Sequence, residues 1–432
     1  MTAEIVVMNG EAVALAADSA VTSQVGGLEK ISTSANKLFA MSKYHPVGIM
    51  IYGNAEFMDI PWETLIKVYR TKRLPPKGYD RLEEYASDFI LFLSNENIEF
   101  PEHAEDNYVG AFIIHVLSMI LDGIRSRLTE AIQEGRDISA TNIAQIVDEV
   151  IAGLYDEWRR SDDEYLTLAI SRATMRRHSA KISEAISHML GEYNLQSRQK
   201  RRIRELIVHV FSKGFSSSIE TGVVVAGFGE KEFRPSVRSF VVEGLVENIL
   251  KHVIDEQHSL SRDIGGGIVP FAQREMVYRF MEGVDPLYRS HEIGYLSTLC
   301  EDLAEKIVNH LSRYSDEEKF RMKQELVDYG SQLVAEFNNE ISDFVSEQFS
   351  GPIVEAVSRL PKSELASLAE ALVHLTSVKR KVSLESETVA EPIDVAVISK
   401  GDGFVWVNRK HYFEAELNPQ FFLRQYKELL NE

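Results

Sequence analysis

Residues 2–22 read TAEIVVMNGEAVALAADSAVT. Two apolar runs, EIVVM at 4–8 and AVALAA at 12–17, flank Asn9-Gly10-Glu11. An Asn-Gly step between such runs is a hairpin signal. The stretch opens with threonine directly after the initiator methionine, and its second run closes on Ala16-Ala17-Asp18. A hydroxyl is a weak nucleophile at its free pKa and needs an adjacent base. A free α-amine, with a pKa of about 7.7–8.0, accepts a proton near neutral pH. With Met1 removed, Thr2 therefore carries nucleophile and base in one residue, a variant of triad logic.

Working outward, NKLFAMS at 36–42 and VGIMIYG at 47–53 make a second strand pair around KYHP. Asp18 ends the second strand of the chain and Lys37 heads the third. Adjacent antiparallel strands would bring Thr2, Asp18 and Lys37 to one sheet edge. An ammonium there lowers the pKa of both threonine groups, and a carboxylate holds the ammonium in place. Gly53, where strand gives way to helix, offers its N–H as an oxyanion donor. From Ala55 the stretch AEFMDIPWETLIKVYRTKR reads as a helix closed by LPPKGY.

Between 80 and 214 apolar residues recur at three- and four-residue spacing, which predicts an almost wholly helical block. Beta signal returns in IETGVVVAGFGEKEFRPSVRSFVVEG at 219–244. IGGGIVP at 264–270 reads as a glycine loop leading into the helix FAQREMVYRFMEG. Further helices are expected over 290–348 and 362–380, and IDVAVISKGDGFVWVNRK at 393–410 as a closing hairpin. Strands at both ends and in the middle, with helical blocks between them, argue for an α+β fold of antiparallel sheets rather than a doubly wound one.

With Thr2, Gly10, Ala16-Ala17-Asp18, Thr22, Lys37-Leu38-Phe39 and Gly53-Asn54-Ala55 in this order, the N-terminal region resembles a proteasome β-type subunit, an N-terminal-nucleophile (Ntn) hydrolase. Later segments keep the family's order: GVVVAG and its following hairpin, IGGGIVPFAQ, and EPIDVAVISKGDG. The resemblance spans roughly half the chain. It implies a four-layer αββα sandwich whose core is divided into 2–72, 215–285 and 351–432, with large helical insertions at 80–214 and 286–350. It implies amide-bond hydrolysis by Thr2, with Asp18 and Lys37 beside it and the Thr22 main chain holding an extended substrate. A peptide or protein substrate, a homo-oligomer and a regulatory partner follow from it; a metal or organic cofactor does not. Two departures stand out. The family's supporting serine falls at Gly265-Gly266-Gly267, without a hydroxyl. Its late aspartate has no clear equivalent in SLESETVAEP, where Glu385 or Glu387 stands nearest.

The bulk numbers narrow the alternatives. The chain has 432 residues, 44% hydrophobic and 26% charged, which is the composition of a soluble globular protein. A net charge of −19 argues against nucleic acid as a partner of the whole surface. Cys300 is the single cysteine and fits a reducing compartment. Glu4 and Glu11 occupy the place of a basic signal-peptide region, and VGAFIIHVLSMIL at 109–121 is too short to span a bilayer, so a cytoplasmic location without membrane attachment is expected. The arginines between 159 and 204 read as a solvated face or subunit contact rather than a nucleic-acid site. No metal-ligand spacing, P-loop or GxSxG is present. Two readings of another kind remain: a catalytically inactive scaffold that works through its helical insertions, and an enzyme that cuts a small amide.

Overall fold

The computed structural model describes residues 2–25, 28–32, 35–94, 98–135, 139–216, 219–260, 265–383, 389–411, 413–420 and 423, with only the main chain of 22–25, 28–31 and 415. In chain order the strands are β1 (Ala3–Asn9), β2 (Ala12–Ala17), β3 (Val21–Val25), β4 (Leu28–Ser32), β5 (Leu38–Ala40), β6 (Val47–Gly53), β7 (Glu56–Phe57), β8 (Ile60–Pro61), β9 (Thr221–Gly227), β10 (Ser236–Val246), β11 (Ile249–Ser259), β12 (Gly266–Ala272), β13 (Asp394–Ser399) and β14 (Gly403–Asn408). The chain forms two compact units, one from Met1–Leu38, Phe233–Pro235 and Ser259–Glu432, the other from Phe39–Glu232 and Ser236–His258.

The first unit is built on an antiparallel sheet of order β12-β1-β2-β13-β14. Side chains alternate across it. Ile5 and Val7 of β1, Ala14 and Ala16 of β2, and Val395 and Val397 of β13 share one face. They pack on Leu365, Ala369, Leu372 and Val373 of the helix Lys362–Val382. The alanines of β2 leave room for that helix to lie close. Thr2, Glu4, Val6 and Met8 project to the other face, and they too are buried. At the hairpin, the Asn9 side chain accepts from the N–H of Glu11 (3.0 Å) and Ala12 (3.3 Å). It also donates to the carbonyls of Val357 (3.2 Å) and Leu360 (2.8 Å).

Two expectations for this unit need correction. Within the glycine stretch, residues 266–270 are strand, not loop: β12 runs antiparallel along the full length of β1. Pro270 is tolerated because β12 is an edge. A Cβ on Gly266 would lie 2.8 Å from Ser358 N and 2.9 Å from Val354 O, so the glycine admits the end of the helix Gly351–Val357. A two-stranded ribbon of β3 and β4, which the sequence reading did not anticipate, follows β2. The helices Pro286–His310 and Asp316–Val345 form a hairpin whose fully buried side is thin, comprising Ala304, Val308 and Gly330. Asp285 caps the first helix (to Leu287 N–H, 2.7 Å), and Ser315 with Glu318 forms a capping box on the second.

The second unit holds a sheet of order β11-β10-β9-β6-β5. Ile49, Ile51, Val223, Val225 and Val242 pack against Leu65, Ile66, Tyr85 and Phe89 from the helices Trp62–Val68 and Leu82–Leu93. A separate core lies among the helices from 104 to 213, around Phe112, Val116, Ile120, Ile151, Ile186, Ile203 and Phe211. The helix Ala104–Gln133 is long and apolar enough to cross a membrane by length and composition. Its side chains Phe112, Val116 and Ile120 belong to that core. The helix expected from Ala55 starts instead at Trp62. Before it, Met58 and Asp59 adopt positive φ (51° and 61°) and fold 56–61 into the small β7–β8 hairpin. The eleven-residue β11 was likewise not expected; it leaves β10 through Glu247 and Asn248, both at positive φ.

Candidate active site

Thr2 sits one residue before β1, where its carbonyl accepts from the N–H of Gln273 (3.2 Å), just past β12. Asp18 follows β2 directly and is held by main chain on three sides. Its Oδ1 accepts from Ala3 N–H (3.0 Å), and its Oδ2 accepts from Ala20 N–H (2.9 Å) and Ala390 N–H (3.3 Å). Lys37 precedes β5. Its ammonium donates to Thr2 Oγ1 at 2.8 Å and to Asp18 Oδ1 at 2.7 Å. The expected triad is thus assembled within the first unit, with Thr2 4%, Asp18 0% and Lys37 5% exposed. Outside this set, Arg380 Nε donates to Gln273 Oε1 (2.7 Å) and ties the strand end that holds Thr2 to the helix Lys362–Val382.

Such burial makes electrostatics decisive, because an ion pair removed from water persists only when its partners are well placed. Burial pulls the Lys37 pKa below the ordinary lysine value. Asp18 and, more weakly, Glu4 oppose that shift, and the Lys410 charge adds to it. A lysine so placed gives Thr2 Oγ1 a charged donor and favours loss of the hydroxyl proton to a neighbouring base.

Three further groups of this cluster, Glu4, Asp394 and Lys410, were not found from the sequence as site residues. Glu4 entered the sequence reading only as an argument against a signal peptide. It is completely buried, and neither carboxyl oxygen has a hydrogen-bond partner. Burial pushes its pKa well above the carboxylate range, with the Lys37 field lowering it and the Asp18 field raising it further. Beyond it on the sheet, Asp394 accepts from the N–H of Lys410 (2.8 Å) and pairs with the Lys410 ammonium. The available signal was a glutamate in an otherwise apolar strand, two residues from Thr2 and therefore on its side of the sheet.

The remaining sequence candidates are placed as follows. Gly53 ends β6 in the second unit at φ 90°. A Cβ there would come within 2.6 Å of Glu220 O, so the position demands glycine. Thr22 lies in β3, paired with Ile31 across the ribbon. Glu385 and Glu387 lie outside the described residues. Gly265, Gly266 and Gly267 bring no hydroxyl, and the close approach of Ser358 and Val354 to Gly266 gives the steric reason. Among the described residues no group of three or more His, Cys, Asp or Glu side chains is placed to hold a metal ion.

No family model and no curated protein matches the chain. Solved structures do. A Gly-1 mutant of Anbu from Hyphomicrobium sp. strain MC1 aligns over 99% of this chain and 97% of its own at 9% identity, with a TM-score of 0.26. Anbu from Yersinia bercovieri, described as an ancestral beta-subunit, aligns over 100% and 97% at 8% identity, also with a TM-score of 0.26. At that score the likeness bears on neither activity nor substrate.

Proposed function

We propose that this protein is a proteasome-like threonine hydrolase that cleaves peptide or other amide bonds through Thr2 once Met1 is removed. The observation that supports this reading most is the buried Lys37 ammonium held between Thr2 Oγ1 (2.8 Å) and Asp18 Oδ1 (2.7 Å). In the proposed reaction the Thr2 α-amine takes the hydroxyl proton, and Oγ1 attacks the scissile carbonyl carbon. The tetrahedral intermediate collapses as the new ammonium returns that proton to the departing amine. Water then enters, gives a proton to the α-amine and hydrolyses the Thr2 ester, freeing the acid and restoring the hydroxyl. Lys37 stabilises the developing negative charge on Oγ1, and Asp18 orients Lys37. The oxyanion role of Gly53, the substrate role of the Thr22 main chain, the four-layer αββα arrangement, homo-oligomerisation and a cytoplasmic location belong to the same proposal.

The test is turnover of a peptide library by the processed protein and by two variants. Thr2→Ala is expected to abolish hydrolysis, while Thr2→Ser, which keeps a hydroxyl, retains a measurable fraction. Equal turnover by wild type and Thr2→Ala would remove Thr2 from the chemistry.

One observation favours a second reading, an inactive scaffold. The helical hairpin Pro286–His310/Asp316–Val345 exposes Leu287 (79%), Phe320 (71%) and Tyr295 (64%), and apolar surface of this kind marks contact sites. Absence of hydrolysis in a chain shown to have a free Thr2 amine would favour it.

A further inference from the structure

Glu4 is a buried acid for which the proposed reaction has no use. It projects from β1 to the same side as Thr2, two residues away. Its register partners place it in a row: Ala17 of β2 stands opposite, then Asp394 of β13. On its other side stands Phe271 of β12, which carries no charge. The titratable groups around the row, among the described residues, are therefore Asp18 after β2, Lys37 before β5, Asp394 on β13, Lys410 after β14 and, once Met1 is removed, the Thr2 α-amine. Asp18 and Lys37 cancel, and so do Asp394 and Lys410. With the Thr2 α-amine neutral, the form the proposed reaction uses, an ionised Glu4 would be the one uncompensated charge among these described groups. Both its oxygens lack hydrogen-bond donors, which leaves the field of Lys37 as its source of stabilisation.

We propose that Glu4 is a positioning residue for Lys37: its carboxyl is a second, switchable counter-charge beside the fixed one of Asp18, and governs how firmly Lys37 keeps its charge against the Thr2 hydroxyl. When Glu4 holds a proton, Lys37 has one counter-ion. When that proton leaves for solvent, Lys37 has two and keeps its own proton to higher pH. The direction agrees with the Glu4 field, which raises the lysine. Its significance for catalysis rests on Thr2 being the nucleophile; the link between Glu4 and Lys37 does not.

Two readouts keep these apart. The first is NMR titration of Lys37 in protein carrying 13Cε-labelled lysine, with the signal assigned by its loss in Lys37→Met. In Glu4→Gln, Lys37 is expected to lose its proton about 1 pH unit lower than in wild type. Glu4→Leu, similar in size and without polar atoms, is expected to do the same and carries the test if the glutamine variant misfolds. Glu4→Asp should return part of the shift, which a merely structural role would not. Lys37 titrating within about 0.3 unit of wild type in the folded Gln or Leu variant overturns the proposal. The second readout is the pH profile of Thr2 acylation by a β-lactone, whose alkaline limb should move down with Lys37. A Lys37 shift without Thr2 labelling at any pH would sink the hydrolase and leave the linkage standing. Thr2 labelling without a Lys37 shift would do the reverse.

Discussion

Among Thr2, Asp18 and Lys37, only the lysine touches both of the others. Lys37→Met should therefore leave a buried carboxylate without its counter-ion, a change that costs about 3–5 kcal/mol. The three main-chain amides that still hold Asp18 place the expected loss at the lower end of that range. Urea unfolding at constant slope measures it, and a loss under about 1 kcal/mol would contradict the assigned pairing. Glu4 gives a pH signature. Its folded-state pKa lies well above 4.5, so above that pH the native state holds a proton that the unfolded chain has released. Its contribution to stability is complete below the unfolded value and declines as pH rises through the window up to the folded one. Glu4→Gln should lack this decline, gaining on wild type by up to about 1.4 kcal/mol per pH unit within the window. Parallel stability curves for the two proteins would refute a raised Glu4. At this scale Thr2, Asp18 and Lys37 were legible because their chemistry needs particular residue types at strand ends. Glu4 was not, because a lone glutamate in a strand ordinarily faces water, and the complete burial of this one is seen only in the fold.

Elements were legible where turn residues punctuated short apolar runs. The β1–β2 and β13–β14 hairpins carry turn residues between such runs, and they formed as expected. The misread segments are those where local conformation overrides pattern. Two left-handed residues, Met58 and Asp59, turn the chain before Trp62. Glu247 and Asn248 make a tight turn without the glycine that announces one, which hid β11. The glycines at the start of β12 look like a loop because their cause, the neighbouring helix end, is distant in sequence. That cause makes a prediction. Gly266→Ala should destabilise the protein by about 1–3 kcal/mol, since the new methyl meets backbone atoms that cannot move aside. Gly10→Ala, with no atom within 4 Å of the added carbon, serves as the control. Equal melting of the two variants would show that the helix end does not press on β12.

For the molecule as a whole, charge and apolar run length in the sequence argued against nucleic-acid and membrane-spanning classes, although the helix Ala104–Gln133 has the length and composition of a span; nothing in the composition indicated how the chain divides into units. The division after Leu38 falls inside the three-residue β5, where no change in sequence character marks it. Elements of the first unit also differ in how much apolar surface they bury. The central strands β1, β2 and β13 are buried on both faces, whereas the hairpin Pro286–His310/Asp316–Val345 buries few side chains fully. Local stability follows buried apolar contact. Amides of that hairpin should therefore exchange with solvent deuterium well before those of β1, β2 and β13 in an isolated chain. Protection of the hairpin equal to the central sheet would mean that its exposed apolar residues are covered.

The central claim, that Thr2 is an N-terminal nucleophile, is tested most directly by the intact mass of protein purified from its native host, before and after treatment with a threonine-directed β-lactone. The account predicts a mass lacking Met1 and one added acyl group, mapped to Thr2 and absent from Thr2→Ala. Quantitative retention of Met1, or a free Thr2 amine that takes up no acyl group, would contradict it.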